Sequence, residues 1–186
     1  MAYLDVCDVT LTFKGIAALM GVSFTVEQGT IASLIGPNGA GKTSMLNCIS
    51  GRYIPDGGAR GPCSISLDGE CLLSLPAHKR TELGLSRTFQ NIALFKGLSV
   101  LDNLMVGRHG QINYGLLSSI MYWGKAVRTE DRHRRRVEDV IDFLNLSPYR
   151  HQHAGRLPYG VQKRVELGRA LAAEPKLILL DEPMAG

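Results

Sequence analysis

Apolar and polar side chains alternate at Val9, Leu11 and Phe13, and a second β-like run, Val22 to Val26, follows the turn-prone Gly21. Both read as strands. Ser64-Ile65-Ser66-Leu67 leads into Asp68-Gly69, a strong hairpin dipeptide, so these early strands are expected to form an antiparallel patch. Thr30 to Ile35 is a short apolar run ending in glycines and predicts a further strand. Thr43 to Ser50 then predicts a helix, stopped by Gly51. From about Asn91 to Ala154 the spacing turns helical, most clearly at Val137, Val140, Ile141 and Leu144 ahead of the break at Pro148. Gly160 to Ala173 predicts another helix, ended by Glu174-Pro175 because the residue before proline disfavours the helical conformation. Leu177 to Leu180 is an apolar run into Asp181-Glu182, the pattern of a buried parallel strand with acid at its carboxyl end.

Composition refines this picture only modestly. With 186 residues, 45% apolar and 20% charged, the chain can bury a core without disulfides or a structural metal. A net charge of +4 does not mark a nucleic-acid binder or a membrane-surface protein. Cys7, Cys48, Cys63 and Cys71 have neither metal-ligand spacing nor a CxxC pair, and no signal-peptide core follows Met1, which points to a reducing cytoplasm. No apolar run approaches the roughly 20 residues of a membrane helix, so membrane association is expected to go through a partner. The basic run Arg132-His133-Arg134-Arg135-Arg136 has acidic neighbours and continues into an amphipathic helix, and reads as a solvated helix face rather than a nucleic-acid patch.

Chemistry concentrates in Gly36-Pro37-Asn38-Gly39-Ala40-Gly41-Lys42-Thr43, which fits the phosphate-loop pattern G-x-x-x-x-G-K-[ST] at every fixed position. Glycines let successive backbone N–H groups turn inward on an anion, and the following helix, from Thr43 and Ser44 onward, offers its positive end. Lys42 adds a mobile charge, and the Thr43 hydroxyl suits Mg²⁺, which prefers hard oxygen donors. A carboxylate should lie nearby. Asp181 is the candidate, since an acid at the end of a parallel strand points into the crevice where α/β sheets bind ligands. Glu182, one residue on, could orient or deprotonate an attacking water.

These residues resemble the ATP-binding subunits of ABC transporters, and the resemblance extends over essentially the whole chain. Thr88-Phe89-Gln90 falls where that family carries its glutamine loop, and Leu157-Pro158-Tyr159-Gly160-Val161-Gln162 where it carries its signature motif. Ser86 to Gln90, with Leu94-Phe95 soon after, and the run Leu157 to Leu171 are similar to the subgroup that takes up branched-chain and other hydrophobic amino acids. The implied fold class is α/β, a P-loop NTPase core with an antiparallel β-subdomain and a helical subdomain. Residues 1–186 would be one nucleotide-binding domain, with 1–90 and 174–186 as core and β-subdomain and 91–173 as helical subdomain. ATP and Mg²⁺ are the implied cofactors, with Thr43, Gln90 and Asp181 around the metal. Gln90 would sense the γ-phosphate, Phe13 would stack on adenine, and Gly160 would meet the nucleotide of a second subunit in a head-to-tail dimer. The implied partners are that subunit, transmembrane permease subunits and, indirectly, a periplasmic or surface solute-binding protein, with no nucleic acid. The place of work would be the cytoplasmic face of the cell membrane.

The chain departs from the family pattern twice. The common signature is Leu-Ser-Gly-Gly-Gln, whereas Pro158, Tyr159 and Val161 here replace the serine, the first glycine and the glutamine. The family's dimer-contact loop and switch histidine are expected beyond Gly186, as in a longer subunit, and His151 and His153 precede the signature and do not stand in for that histidine. A soluble ATPase of the same type acting on nucleic acid or ribosomes, and a module that binds nucleotide without turnover, are the alternative readings.

Overall fold

The structure, a computed structural model, describes residues 2–58, 64–88, 92–108 and 125–182, with no side-chain description for residues 2 and 125–130. Two compact units result, Met1–Leu83 and Gly84–Gly186. The division expected from the sequence, 1–90 with 174–186 against 91–173, concerns the layout of the whole cassette and stays a proposal.

In the first unit, β1 (Ala2–Phe13) and β2 (Ile16–Glu27) form an antiparallel hairpin. Its turn, Lys14-Gly15, has φ of 47° and 87°, left-handed at both residues as a tight hairpin requires. The expected run Val22 to Val26 is thus the second half of a longer strand. With β3 (Ser64–Leu67) and β4 (Glu70–Cys71) the sheet runs β2-β1-β3-β4, and Asp68-Gly69 makes the β3–β4 turn as its sequence predicts. One face buries Leu4, Val6, Val9, Leu11, Ile65 and Leu67. Helix α1 (Lys42–Ser50) buries Met45, Cys48 and Ile49 and ends at Gly51, left-handed with φ 81°. Arg80, buried in α2 (Ala77–Glu82), donates through Nη1 to the carbonyls of Cys48 and Ile49 at 2.7 and 2.8 Å. A guanidinium thereby closes the negative end of α1.

The run Thr30 to Ile35 corrects the sequence expectation, because it is not a strand. Ile31 and Ile35 are 99% and 94% exposed. A strand is held by ladder partners, and among the described residues none pairs with this segment.

The second unit pairs β5 (Leu85–Arg87) in parallel with β6 (Leu177–Leu179), placing Arg87 opposite Leu179. Leu180 lies beyond the strand and is exposed. Helices α3 (Val100–Arg108), α4 (Lys125–Phe143) and α5 (Tyr159–Ala172) pack through Val100, Leu104, Val137, Ile141, Val161 and Val165. Each such side chain, fully buried, contributes about 1.5–3 kcal/mol of transfer free energy. The helices cross closely: a Cβ on Gly107 would lie 2.3 Å from the Arg169 carbonyl, and one on Gly168 would lie 3.1 Å from Leu144.

On α4 the basic run is solvent-facing at Arg132, Arg134, Arg135 and Arg136, while His133 is buried against Arg108, whose Nε donates to His133 Nδ1 at 2.7 Å. Arg108 also reaches the Ala172 carbonyl and Glu174, and Arg136 pairs with Glu174 from outside. Among the described residues no helix is long and apolar enough to cross a membrane.

Candidate functional site

The first unit carries the phosphate loop, and its shape follows from two glycines. Gly39 and Gly41 have φ of 83° and 86°, conformations an L side chain adopts only at a cost. Gly41 is also the N-cap of α1, and a Cβ there would meet the Ala18 carbonyl oxygen at 2.5 Å and Leu19 Cδ2 at 2.8 Å. The loop is therefore seated on β2. Gly36, by contrast, faces Ala40, whose Cβ would lie 3.2 Å from an added one. Pro37 accepts a backbone bond from the Ala40 N–H at 3.2 Å, which closes the tip around Asn38.

Lys42 folds back over this tip. Its Nζ donates to the carbonyls of Gly36 and Pro37 at 2.7 and 2.8 Å, so the ammonium sits over the loop. Thr43 and Ser44 follow in the first turn of α1, which carries no acidic residue to repel an anion. Fixed N–H donors, a helix start and a mobile cation in one place can bind a polyanion. The Thr43 hydroxyl is an oxygen donor of the kind Mg²⁺ accepts.

Phe13 ends β1 beside the hairpin turn and is 43% exposed, so it is not a core residue. Its ring lies 5.1 Å from that of Tyr53, centre to centre, at 74° between planes.

The second unit carries the acidic pair. Asp181, two residues beyond the end of β6, is buried, and its Oδ2 accepts from Arg87 Nη2 at 3.2 Å. A buried polar group costs free energy unless it is paired, and Arg87 supplies that pairing. Glu182 is exposed and left-handed, with φ 48°. Asp181 and Glu182 are thus brought together with Arg87. Gln90 lies outside the described residues, but the segment just after it is held by α5. The Ala93 carbonyl accepts from Arg169 Nη1 at 2.6 Å, and the Ala93 N–H approaches Glu166 Oε1 at 3.5 Å. Burial lowers the Arg169 pKa from its ordinary value.

The signature segment opens α5. Leu157 is buried, Pro158 is the N-cap, and Tyr159 and Gly160 are exposed with open space where a Gly160 Cβ would stand. Val161 is buried in the helical core, which accounts for an apolar residue where the common signature has glutamine. Among the described residues no side chain caps the start of α5.

Tyr53, Arg80, Glu166 and Arg169 carry no local signal in the sequence, and Arg87 is visible there only as part of a motif. Their roles depend on pairings across 31 to 94 positions, which no local pattern signals.

A glycine-shaped phosphate loop ahead of a helix, an acid pair just past a strand, and a signature segment that opens a helix define a P-loop nucleotide-binding protein of the ATP-binding cassette class. The chain matches the ABC transporter family over residues 19–185 and belongs to it. It is 39% identical over 183 residues to the high-affinity branched-chain amino acid transport ATP-binding protein BraF of Pseudomonas aeruginosa, a match covering 98% of this chain and 70% of BraF. It is 36% identical over 183 residues to LivG of Salmonella typhimurium, also named a high-affinity branched-chain amino acid transport ATP-binding protein, with the same coverage. Among solved structures, an ATP-binding cassette of an ABC transporter in its ADP conformation superposes with a TM-score of 0.81 at 32% identity, over 100% of this chain and 70% of that one. ATPase activity coupled to transport is the activity of this family.

Proposed function

We propose that the protein is the ATP-hydrolysing subunit of an importer for branched-chain or other hydrophobic amino acids, working on the cytoplasmic face of the membrane through permease subunits. The observation that carries the reading is the phosphate loop, with Gly39 and Gly41 left-handed and Lys42 lying over the carbonyls of Gly36 and Pro37. An incoming triphosphate offers Lys42 stronger acceptors than two carbonyls, so the ammonium moves from the loop to the phosphates. Residues Gly36 to Ser44 would then surround the anion, the non-proline positions offering backbone N–H groups and α1 its positive end.

Thr43 and Asp181, with Gln90, would hold Mg²⁺. When bound, the ion neutralises phosphate charge and orients the phosphate groups. Arg87, 3.2 Å from Asp181 Oδ2, would hold that carboxylate in place for the task. Glu182 would orient the attacking water, taking its proton as the γ-phosphorus bonds to the water oxygen, its bond to the β–γ bridging oxygen breaks, and ADP leaves. Phe13 would stack on adenine, a flat face against a flat face. Gly160 and the start of α5 would meet the γ-phosphate held by a second ATP-binding subunit, and the open space at Gly160 suits such an approach. The similarity to BraF and LivG, both named for branched-chain amino acid transport, supports amino acids as cargo; a solute-binding protein would deliver them.

The test reconstitutes the subunit with the permease subunits that co-purify with it and adds solute-binding protein loaded with leucine or with an unrelated solute. The proposal expects ATP turnover to rise with the leucine-loaded protein. Stimulation only by a different class of solute would overturn the assignment of cargo, and stimulation by RNA or DNA with a steep salt dependence would favour the nucleic-acid alternative.

A further inference from the structure

Tyr53 lies in the loop that follows α1, and that loop is fixed at both ends. The Tyr53 N–H donates to the Asn47 carbonyl at 3.1 Å, in the last turns of α1. Three residues on, Asp56 grips β1: its Oδ2 accepts from the Thr12 hydroxyl at 2.5 Å, its Oδ1 from the Thr12 N–H at 3.3 Å, and its own N–H donates to the Thr10 carbonyl at 2.9 Å. The clamp sets Tyr53 against Phe13, the residue next to Thr12, in an edge-to-face pair with ring centres 5.1 Å apart. The same hairpin end adjoins the phosphate loop, because Thr12 pairs with Ala17 and Gly41 lies against Ala18.

An aromatic side chain beside a hairpin turn, 43% exposed, would otherwise sample several rotamers. A ring already fixed in one orientation loses less freedom when a flat ligand stacks on it. In an edge-to-face pair at 74°, whichever ring supplies the edge, at least one face of Phe13 is left uncovered by Tyr53. We propose that Tyr53 is a positioning residue for the purine of the nucleotide, holding Phe13 with one face open for stacking. This rests on the reading of Phe13 as the adenine platform and assigns the residue that orients it.

Calorimetric titration of the protein with ATP and with inorganic tripolyphosphate separates the base from the phosphates. Tyr53→Ala is expected to weaken ATP binding roughly threefold to tenfold and to leave tripolyphosphate binding unchanged. Tyr53→Phe, which keeps the ring edge, is expected to bind both like the wild type. Phe13→Ala is expected to weaken ATP at least as much, and the double variant to be no weaker than Phe13→Ala, since Tyr53 acts through that ring. Equal losses for ATP and tripolyphosphate in Tyr53→Ala would overturn the inference by making the role one of general folding. Additive losses in the double variant would overturn it by placing Tyr53 on the base itself. An unchanged Tyr53→Ala beside an impaired Phe13→Ala would remove Tyr53 and keep the platform, whereas an unchanged Phe13→Ala would remove the platform and the inference with it.

Discussion

Gly39→Ala and Gly41→Ala form a pair in which one contribution is shared and the other is not. Both glycines are left-handed, with φ of 83° and 86°, so an alanine at either position takes on the cost of that conformation, about 1–2 kcal/mol. At Gly39 nothing lies within 4 Å of the added Cβ, and the cost stops there. At Gly41 the Cβ falls 2.5 Å from the Ala18 carbonyl oxygen and 2.8 Å from Leu19 Cδ2, and the first of these is backbone that cannot rotate away. Relieving such an overlap typically costs a further 1–3 kcal/mol or so, bringing Gly41→Ala to about 2–5 kcal/mol. Any gain from a stiffer unfolded chain is common to both substitutions and cancels in the difference. Urea unfolding of both variants, followed by circular dichroism, reads that difference directly, and ATP titration reads its effect on the loop. Gly41→Ala should unfold at clearly lower urea than Gly39→Ala, and it should bind ATP more weakly because the start of α1 and Lys42 shift with it. Coincident unfolding curves for the two variants would refute the argument that the phosphate loop is seated on β2.

Lys42→Ala should weaken ATP binding by about 1.5–3 kcal/mol, the range for a charge-assisted contact, and leave adenosine binding nearly unaffected; equal losses in a paired titration would remove the role given to its ammonium. His133 is held below the ordinary imidazole value of 6.5 by burial first and by the Arg108 charge second. Since the unfolded chain binds that proton more readily, its contribution is complete above about pH 6.5 and is lost as pH falls through the lowered folded value. Urea midpoints should drop between pH 7 and pH 5, and less so in His133→Asn. Asn103, fully buried, accepts from the Phe95 N–H and donates to the carbonyls of Phe95, Leu98 and Ser99, so Asn103→Leu should cost about 1–3 kcal/mol and speed amide exchange at Phe95, where a merely surface role would leave both unchanged. Leu104→Ala, in the α3–α5 crossing, should cost about 2–5 kcal/mol, measurable as a lower urea midpoint.

What could be read ahead of the structure was whatever short-range pattern encodes. Alternation located β1, Asp68-Gly69 located the β3–β4 turn, and the 3.6-residue spacing at Val137, Val140 and Ile141 located α4. Gly36 to Thr43 marked the phosphate loop because each fixed position has a local mechanical reason. The pattern failed at Thr30 to Ile35, where apolar character implied a strand but pairing decides whether one forms. It also passed over β5, whose three residues owe their conformation to β6, about ninety positions away. Arg87 was legible only as a letter in a motif, and its use emerges from the 3.2 Å contact with Asp181. Tyr53 was silent for a similar reason: its partner is Phe13, which lies before β2 and α1 in sequence.

The most direct test measures uptake of radiolabelled leucine at micromolar concentration in cells whose own copy is replaced by Lys42→Ala or by Glu182→Gln, with ATP binding measured on the purified subunits. The account predicts uptake at background in both strains, with ATP binding weakened in Lys42→Ala and retained in Glu182→Gln, because one residue holds phosphate and the other acts on water. Leucine uptake at the wild-type rate in either strain, with the variant subunit present at normal abundance, would contradict it.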